Sequence, residues 1–212
     1  MKTDELIEVL AADLPKRREG PEPILRLAML ASVILAGSIF AATIGVRPDI
    51  SSAMISPRFL FKFAVTITVA ASAFALVRQS LYPETSSRLP LPLLLTGPAL
   101  LALGVGTELW SLDEAAWGMA ALGKNWYLCL TVIPALGVVP LGLIIAALRR
   151  GAPTRPGLAG FCAGILAGGI AATLYAANCT DDSPLFVATW YPIAIGALAL
   201  LGSVLGHLFA RW

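Results

Sequence analysis

The chain has 212 residues, 58% of them hydrophobic and 13% charged, with a formal net charge of +2. Soluble domains carry about 25% charged residues, so this composition excludes an ordinary water-soluble domain and describes an integral membrane protein. The 15 basic residues are too few, and too close to apolar runs, to make a nucleic-acid surface. With His207 as the single histidine, three cysteines and no CxxC, HExxH or P-loop motif, a conventional His/Cys metal cage is not expected.

Residues 1–23 are the one sizeable part suited to water, and residues 24–212 form the membrane domain. Thr3 can cap a helix whose positive first turn holds Asp4 and Glu5. Leu6, Leu10 and Leu14 follow at a spacing of four, with Ile7 beside them, and Glu8 and Asp13 extend the acidic face. Pro15 ends the pattern and Lys16-Arg17-Arg18 follows. A helix that lies on a membrane surface usually has a basic polar face. This one is acidic, which suits docking onto a basic protein partner through Asp4, Glu5, Leu6, Glu8 and Leu10. A tail resting on lipid headgroups is the plainer alternative.

Six apolar runs follow, at 25–46, 59–77, 91–110, 126–148, 157–177 and 186–209. Each is near the ~20 residues that cross the hydrocarbon core. The first is too long for an ordinary signal-peptide core and has an acidic leader, so it is read as an uncleaved span. The fold class is therefore all-α: a polytopic bundle of six transmembrane helices with a short cytoplasmic amphipathic helix at its N-terminus.

Basic residues orient the spans. Taking alternate flanks, one side collects Lys2, Lys16, Arg17, Arg18, Arg26, Arg78, Arg88, Arg149, Arg150, Arg155 and Arg211; the other collects Arg47, Arg58, Lys62 and Lys124. The richer side is cytoplasmic, so both termini are expected there, in a multi-pass protein of a bacterial inner membrane. Trp110, Trp117, Trp126, Tyr127, Trp190 and Tyr191 then gather at the outer face as an aromatic belt against the lipid bilayer.

In the fifth run Gly160, Gly164, Gly168, Ala172 and Ala176 form one small-residue stripe, and Gly202 and Gly206 offer a shorter version in the sixth. Such stripes let helix backbones approach closely. Packing inside the bundle is the ordinary use, and a homodimer face is the other. Pro134 and Pro140, with Gly137 and Gly142, predict a bend in the fourth run.

The stretch Asn178-Cys-Thr-Asp-Asp-Ser-Pro184 between the fifth and sixth runs is rich in turn formers. Cys179 lies in this outer turn, and Cys129 stands about 7–8 Å into the fourth helix, five residues beyond Lys124 at ~1.5 Å per residue. Cys162 is about 25 Å from Cys179 along the fifth helix by the same rise and is expected to be a small apolar filler. Only Cys129 and Cys179 can meet. They are unrelated, a structural disulfide, or a dithiol that binds a soft metal or reacts with oxidant. Asp181 and Asp182 are accessory oxygen ligands or, more commonly for such residues, merely solvate the turn.

Three segments carry a family resemblance: Met1-Lys-Thr-Asp-Glu-Leu-Ile7, Ala147-Leu-Arg-Arg-Gly-Ala-Pro-Thr-Arg-Pro156 and Cys179-Thr-Asp-Asp-Ser-Pro-Leu-Phe-Val-Ala-Thr-Trp-Tyr191. They resemble the NrsF family of six-helix bacterial inner-membrane anti-sigma factors, which act on extracytoplasmic-function sigma factors, and the likeness extends over the whole chain. The resemblance implies that Cys129, within Asn125-Trp-Tyr-Leu-Cys-Leu130, and Cys179 take part in a response to toxic metal stress; it assigns no role to Cys162. It implies a regulator that is not an enzyme, with no constitutive cofactor and a sigma factor as partner. The N-terminal segment would hold that partner, with Arg149, Arg150 and Arg155 as further cytoplasmic contacts. A soft ion such as cadmium or zinc suits two thiolates as the inducing ligand. Rival readings are a membrane thiol oxidoreductase, disfavoured by the lack of a CxxC pair, and a small-molecule transporter. A transporter should carry ionisable residues near the midplane, where Glu108 alone comes near, close to an outer end.

Overall fold

A computed structural model describes residues 20–82 and 91–210. Within them the chain forms helices α1 (Pro21–Thr43), α2 (Ile50–Ala53), α3 (Pro57–Ser80), α4 (Leu91–Ser111), α5 (Glu114–Leu122), α6 (Trp126–Leu148), α7 (Pro156–Ala176) and α8 (Pro184–Phe209), and no strand. Six helices among the described residues are long and apolar enough to cross a membrane, as the six apolar runs predicted. The docking residues Asp4, Glu5, Leu6, Glu8 and Leu10 lie outside the described residues.

Local chemistry explains where these helices begin. Proline opens α1, α3, α7 and α8, where its missing N–H would have had no helical partner and its fixed φ suits the first turn. Ser183 caps α8 by accepting from the Leu185 N–H at 3.3 Å. The helices overrun several apolar runs by a few residues: α1 starts at Pro21 and α3 extends to Ser80, because amphipathic end turns continue a helix past its hydrocarbon-length centre. Two short helices, α2 and α5, were not foreseen. Each is too short to show a sustained apolar period. The predicted bend in the fourth run does not interrupt it, for α6 stays continuous through Pro134 and Pro140.

The centre of the bundle is α7, which packs on α8, α3, α6 and α1. Its small-residue stripe is occupied within the bundle. A Cβ added at Gly160 would strike the Gly202 carbonyl oxygen, one at Gly164 the Leu198 carbonyl, and one at Gly206 the Pro156 carbonyl. Glycine on both faces lets the α7 and α8 backbones touch, and dispersion contacts replace the side chains that would hold them apart. Cys162 is buried in this half of the core beside Leu166, Leu141 and Leu198, the filler role expected of it. Around the outside, Leu27, Leu30, Ile34, Leu103, Leu200 and Val204 are all exposed. An apolar exterior of this extent suits helices long enough to cross a membrane.

At the end of the bundle where α1 begins, Glu22 pairs with Arg26 and with Arg78 of α3, the latter at 3.0 Å. Arg149, Arg150 and Arg155 are exposed at this same end, on the segment joining α6 to α7. Cys129 and Cys179 lie at the other end.

Candidate functional site

The turn between α7 and α8 is held from three sides. Asn178 Nδ2 donates to the Gly45 carbonyl at 3.0 Å, and the Arg47 N–H donates to the Ala177 carbonyl at 3.1 Å, which ties the α1–α2 loop to it. Asp181 Oδ2 accepts from the backbone N–H groups of Lys124 and Asn125 at 3.0 and 2.8 Å and from Asn125 Nδ2 at 2.9 Å. That fixes the turn to the start of α6. Gly123 makes the approach possible: its φ is +59°, and a Cβ there would collide with the Phe186 ring and crowd Asp181. Trp190 Nε1 closes the same corner by donating to the Ala121 carbonyl at 3.0 Å, and its ring lies 5.5 Å from that of Trp126.

The third side is ionic. Lys62, in the second turn of α3, is fully buried. Its Nζ donates to the Cys179 carbonyl at 2.7 Å and to Asp182 Oδ1. Arg47 reaches the same two groups, Asp182 Oδ2 at 2.9 Å and the Cys179 carbonyl at 3.4 Å, and also pairs with Asp49 at 2.6 Å. Its hydrogen bonds to Asp49, then those to Asp182, push the guanidinium pKa further above its ordinary value. A buried ammonium is tolerable only when paired and hydrogen-bonded, and here one carboxylate, one carbonyl and the Phe59 ring face, 4.9 Å away, do this. Two cations thus converge on the backbone of Cys179.

Inside this clamp the two thiols meet. Cys129 and Cys179 are both buried and both free, and their side chains sit within hydrogen-bonding reach of each other. The Cys179 thiol also donates to the Asp181 carbonyl at 3.8 Å. The Cys129 hydrogen bond holds the Cys179 thiol below its usual range, and the Lys62 charge adds to this against the opposing effect of burial. Tyr175 of α7 and Tyr191 of α8 complete the surroundings, with ring centroids 6.4 Å apart, in one core cluster with Ile133, Phe186 and both cysteines.

Of the residues singled out in the sequence, the structure brings together Cys129, Cys179, Asp181 and Asp182. The expectation that the two aspartates merely solvate the turn does not hold. Asp181 Oδ2 accepts three protein donors and Asp182 accepts one on each oxygen, which makes them struts of the loop. Among the described residues no group of three or more His, Cys, Asp or Glu side chains converges as a metal cage. Arg149, Arg150 and Arg155 stand apart from this site.

Lys62, Arg47, Tyr175 and Tyr191 escaped the sequence reading. Lys62 had a visible signal, since an ionisable residue inside an apolar run marks a functional position by default. Counting it only as a flanking charge hid it, and Glu108 is therefore not alone in the spans. Glu108 itself is buried, paired with Arg58 at 3.0 Å and accepting from Ser183 Oγ at 3.1 Å. The two tyrosines had no signal beyond belt or core aromatics.

The chain matches the NrsF family model, described as negative regulator of sigma F, over residues 10–212. It is 35% identical over 216 residues to the anti-sigma-F factor NrsF of Caulobacter vibrioides (strain NA1000 / CB15N), covering 100% of each chain. It is 32% identical over 215 residues to the probable anti-sigma-F factor NrsF of Azospira oryzae (strain ATCC BAA-33 / DSM 13638 / PS), again over 100% of each. No solved structure matches it. Two motifs meet in this thiol corner, Asn125–Leu130 and Cys179–Tyr191, and the likeness they carry extends through the whole chain: it belongs to the NrsF family of negative regulators of sigma F.

Proposed function

We propose that this protein is a membrane-embedded anti-sigma factor that sequesters an extracytoplasmic-function sigma factor. It releases that partner when Cys129 and Cys179, at the outer face of a bacterial inner membrane, encounter metal or redox stress. The observation that carries the reading is the meeting of two free thiols from different elements at one end of the bundle, opposite the end where α1 emerges from the leader. No catalytic step is needed. The unequal distribution of lysine and arginine supports a cytoplasmic leader, with Arg149, Arg150 and Arg155 on the same side. There Leu6 and Leu10 anchor in a groove of the sigma factor, and Asp4, Glu5 and Glu8 meet the basic surface with which it binds DNA.

Two links support communication between the ends. Helix α6 carries Cys129 near its start and Arg149 just beyond its end. Helix α3 carries Lys62, bonded to the Cys179 turn, and Arg78, paired with Glu22 at the start of α1. Joining the thiols, by a soft ion such as cadmium or zinc or by a disulfide, ties α6 to the α7–α8 turn. This releases the partner only if the joined form binds it more weakly than the open form. A hundredfold change in affinity needs about 2.7 kcal/mol, within the ~1–3 kcal/mol of ordinary allosteric couplings. The test is the double variant Leu6→Asp/Leu10→Asp, which should raise the sigma factor's transcripts while the membrane protein remains present. Unchanged repression in that variant would refute the docking site.

A further inference from the structure

The side chains of Tyr175 and Tyr191 are buried, 1% and 2% exposed, and neither hydroxyl meets a hydrogen-bond partner at proper distance and angle. Buried hydroxyls are nearly always paired, because removal from water without a partner is unfavourable. Packing does not account for them, since phenylalanine at either position would fill the same space without the oxygen. Both side chains lie against the thiol pair: Tyr175 is within side-chain reach of Cys129 and Cys179, and Tyr191 of Cys179. No oxygen or nitrogen takes a hydrogen bond from either hydroxyl, and the two sulfurs share their core cluster. A neutral thiol is a weak acceptor. A thiolate is a strong one, since hydrogen bonds to an ionised acceptor are about twice as strong as neutral ones.

We propose that Tyr175 and Tyr191 form, with Cys129 and Cys179, a single site for a soft divalent cation, in which the sulfurs bind the ion as thiolates and the two phenol hydroxyls donate to them. This rests on the reading of the thiol pair as the sensor and narrows it to one chemistry. Binding releases both thiol protons, so an M²⁺ ion and two thiolates leave the buried corner with no added net charge. A disulfide offers no anionic acceptor and would leave both hydroxyls as they are, so the corner is built for the metal-bound state. Hard ions are poorly served, because they seek carboxylate oxygens and Asp181 and Asp182 already accept from Lys124, Asn125, Lys62 and Arg47. Phenols that donate to ligating sulfurs act as outer-shell partners do elsewhere, where their loss lowers metal affinity about 10–100-fold.

The experiment is a Cd²⁺ titration of the full-length protein in detergent, read by the sulfur-to-cadmium charge-transfer absorption with a competing chelator. The wild type should bind one equivalent and release two protons, and Cys162→Ser should match it. Tyr175→Phe and Tyr191→Phe should each weaken binding about tenfold, and together up to about a hundredfold. Without metal, the double phenylalanine variant should unfold at or above the wild-type Tm, since it loses only two unpaired buried hydroxyls. A general packing defect would lower that Tm, and such a loss alongside weaker Cd²⁺ binding would refute the tyrosines' role as donors. Wild-type Cd²⁺ affinity in the double variant would also overturn the tyrosine role, while leaving the thiol pair as a metal sensor. Failure of the wild type itself to bind Cd²⁺, with oxidation still releasing the sigma factor, would refute the metal site and leave only the redox form of the proposed function.

Discussion

Replacing Lys62 by methionine tests whether the ionic clamp holds the Cys179 turn. The substitution keeps the apolar stem and removes the ammonium that bonds the Cys179 carbonyl at 2.7 Å and pairs with Asp182. Removing one partner of a buried pair costs about 3–5 kcal/mol, because the other is left uncompensated. Here Arg47 stays on Asp182 at 2.9 Å and the Asp182 side chain is 19% exposed, so the lower end, about 3 kcal/mol, is expected. For a chain of this size that is about 6–12 °C in Tm. Asp182→Asn strands Lys62 in turn and should cost a similar amount. The double variant should lose less than the sum of the two, with a coupling of about 2 kcal/mol. Thermal unfolding in detergent, followed by tryptophan fluorescence at one fixed scan rate, measures all three. Maleimide labelling supplies a local readout. Cys179 is sealed by the clamp, so Lys62→Met should label faster at a pH where the thiol is ionised. Because the Lys62 charge lowers the Cys179 pKa, the pH midpoint of labelling should move upward in that variant. Single variants within about 2 °C of the wild type, or strictly additive losses, would refute the clamp.

Cys129→Ser or Cys179→Ser should abolish induction by Cd²⁺ while repression persists, and Cys162→Ser should change neither; normal induction in the first two would end the sensing model. Reporter fusions after residues 50, 85, 118, 152 and 182 should alternate between outside and inside, and two or more reversed fusions would overturn the orientation. Gly164→Val should destabilise the bundle by at least about 1–3 kcal/mol, since its Cβ meets the Leu198 backbone. Gly142→Ala, with nothing within 4 Å of its Cβ, should instead raise Tm slightly through the ~0.5–1 kcal/mol helix preference.

The six helices were legible because bilayer thickness sets a length and an apolar demand that any spanning segment must meet. The runs at 59–77 and 157–177 could not avoid showing it. Cys162 as filler and the Gly160–Gly168 stripe as a contact face were legible too, since both depend on residue size along one helix. The meeting of Cys129 with Cys179 was legible only as a possibility. Depth along the axis says which residues share a level and nothing about which helices are neighbours, and that was decided by α7 taking the centre of the bundle. The aspartates were misread for the same reason: Asp181 and Asp182 look like solvated turn residues until the start of α6 and the buried Lys62 supply their donors. Tyr175 and Tyr191 could not have been found at all. In sequence they are aromatic residues in apolar helices, and only tertiary packing leaves their hydroxyls without a hydrogen-bond partner in one cluster with two sulfurs.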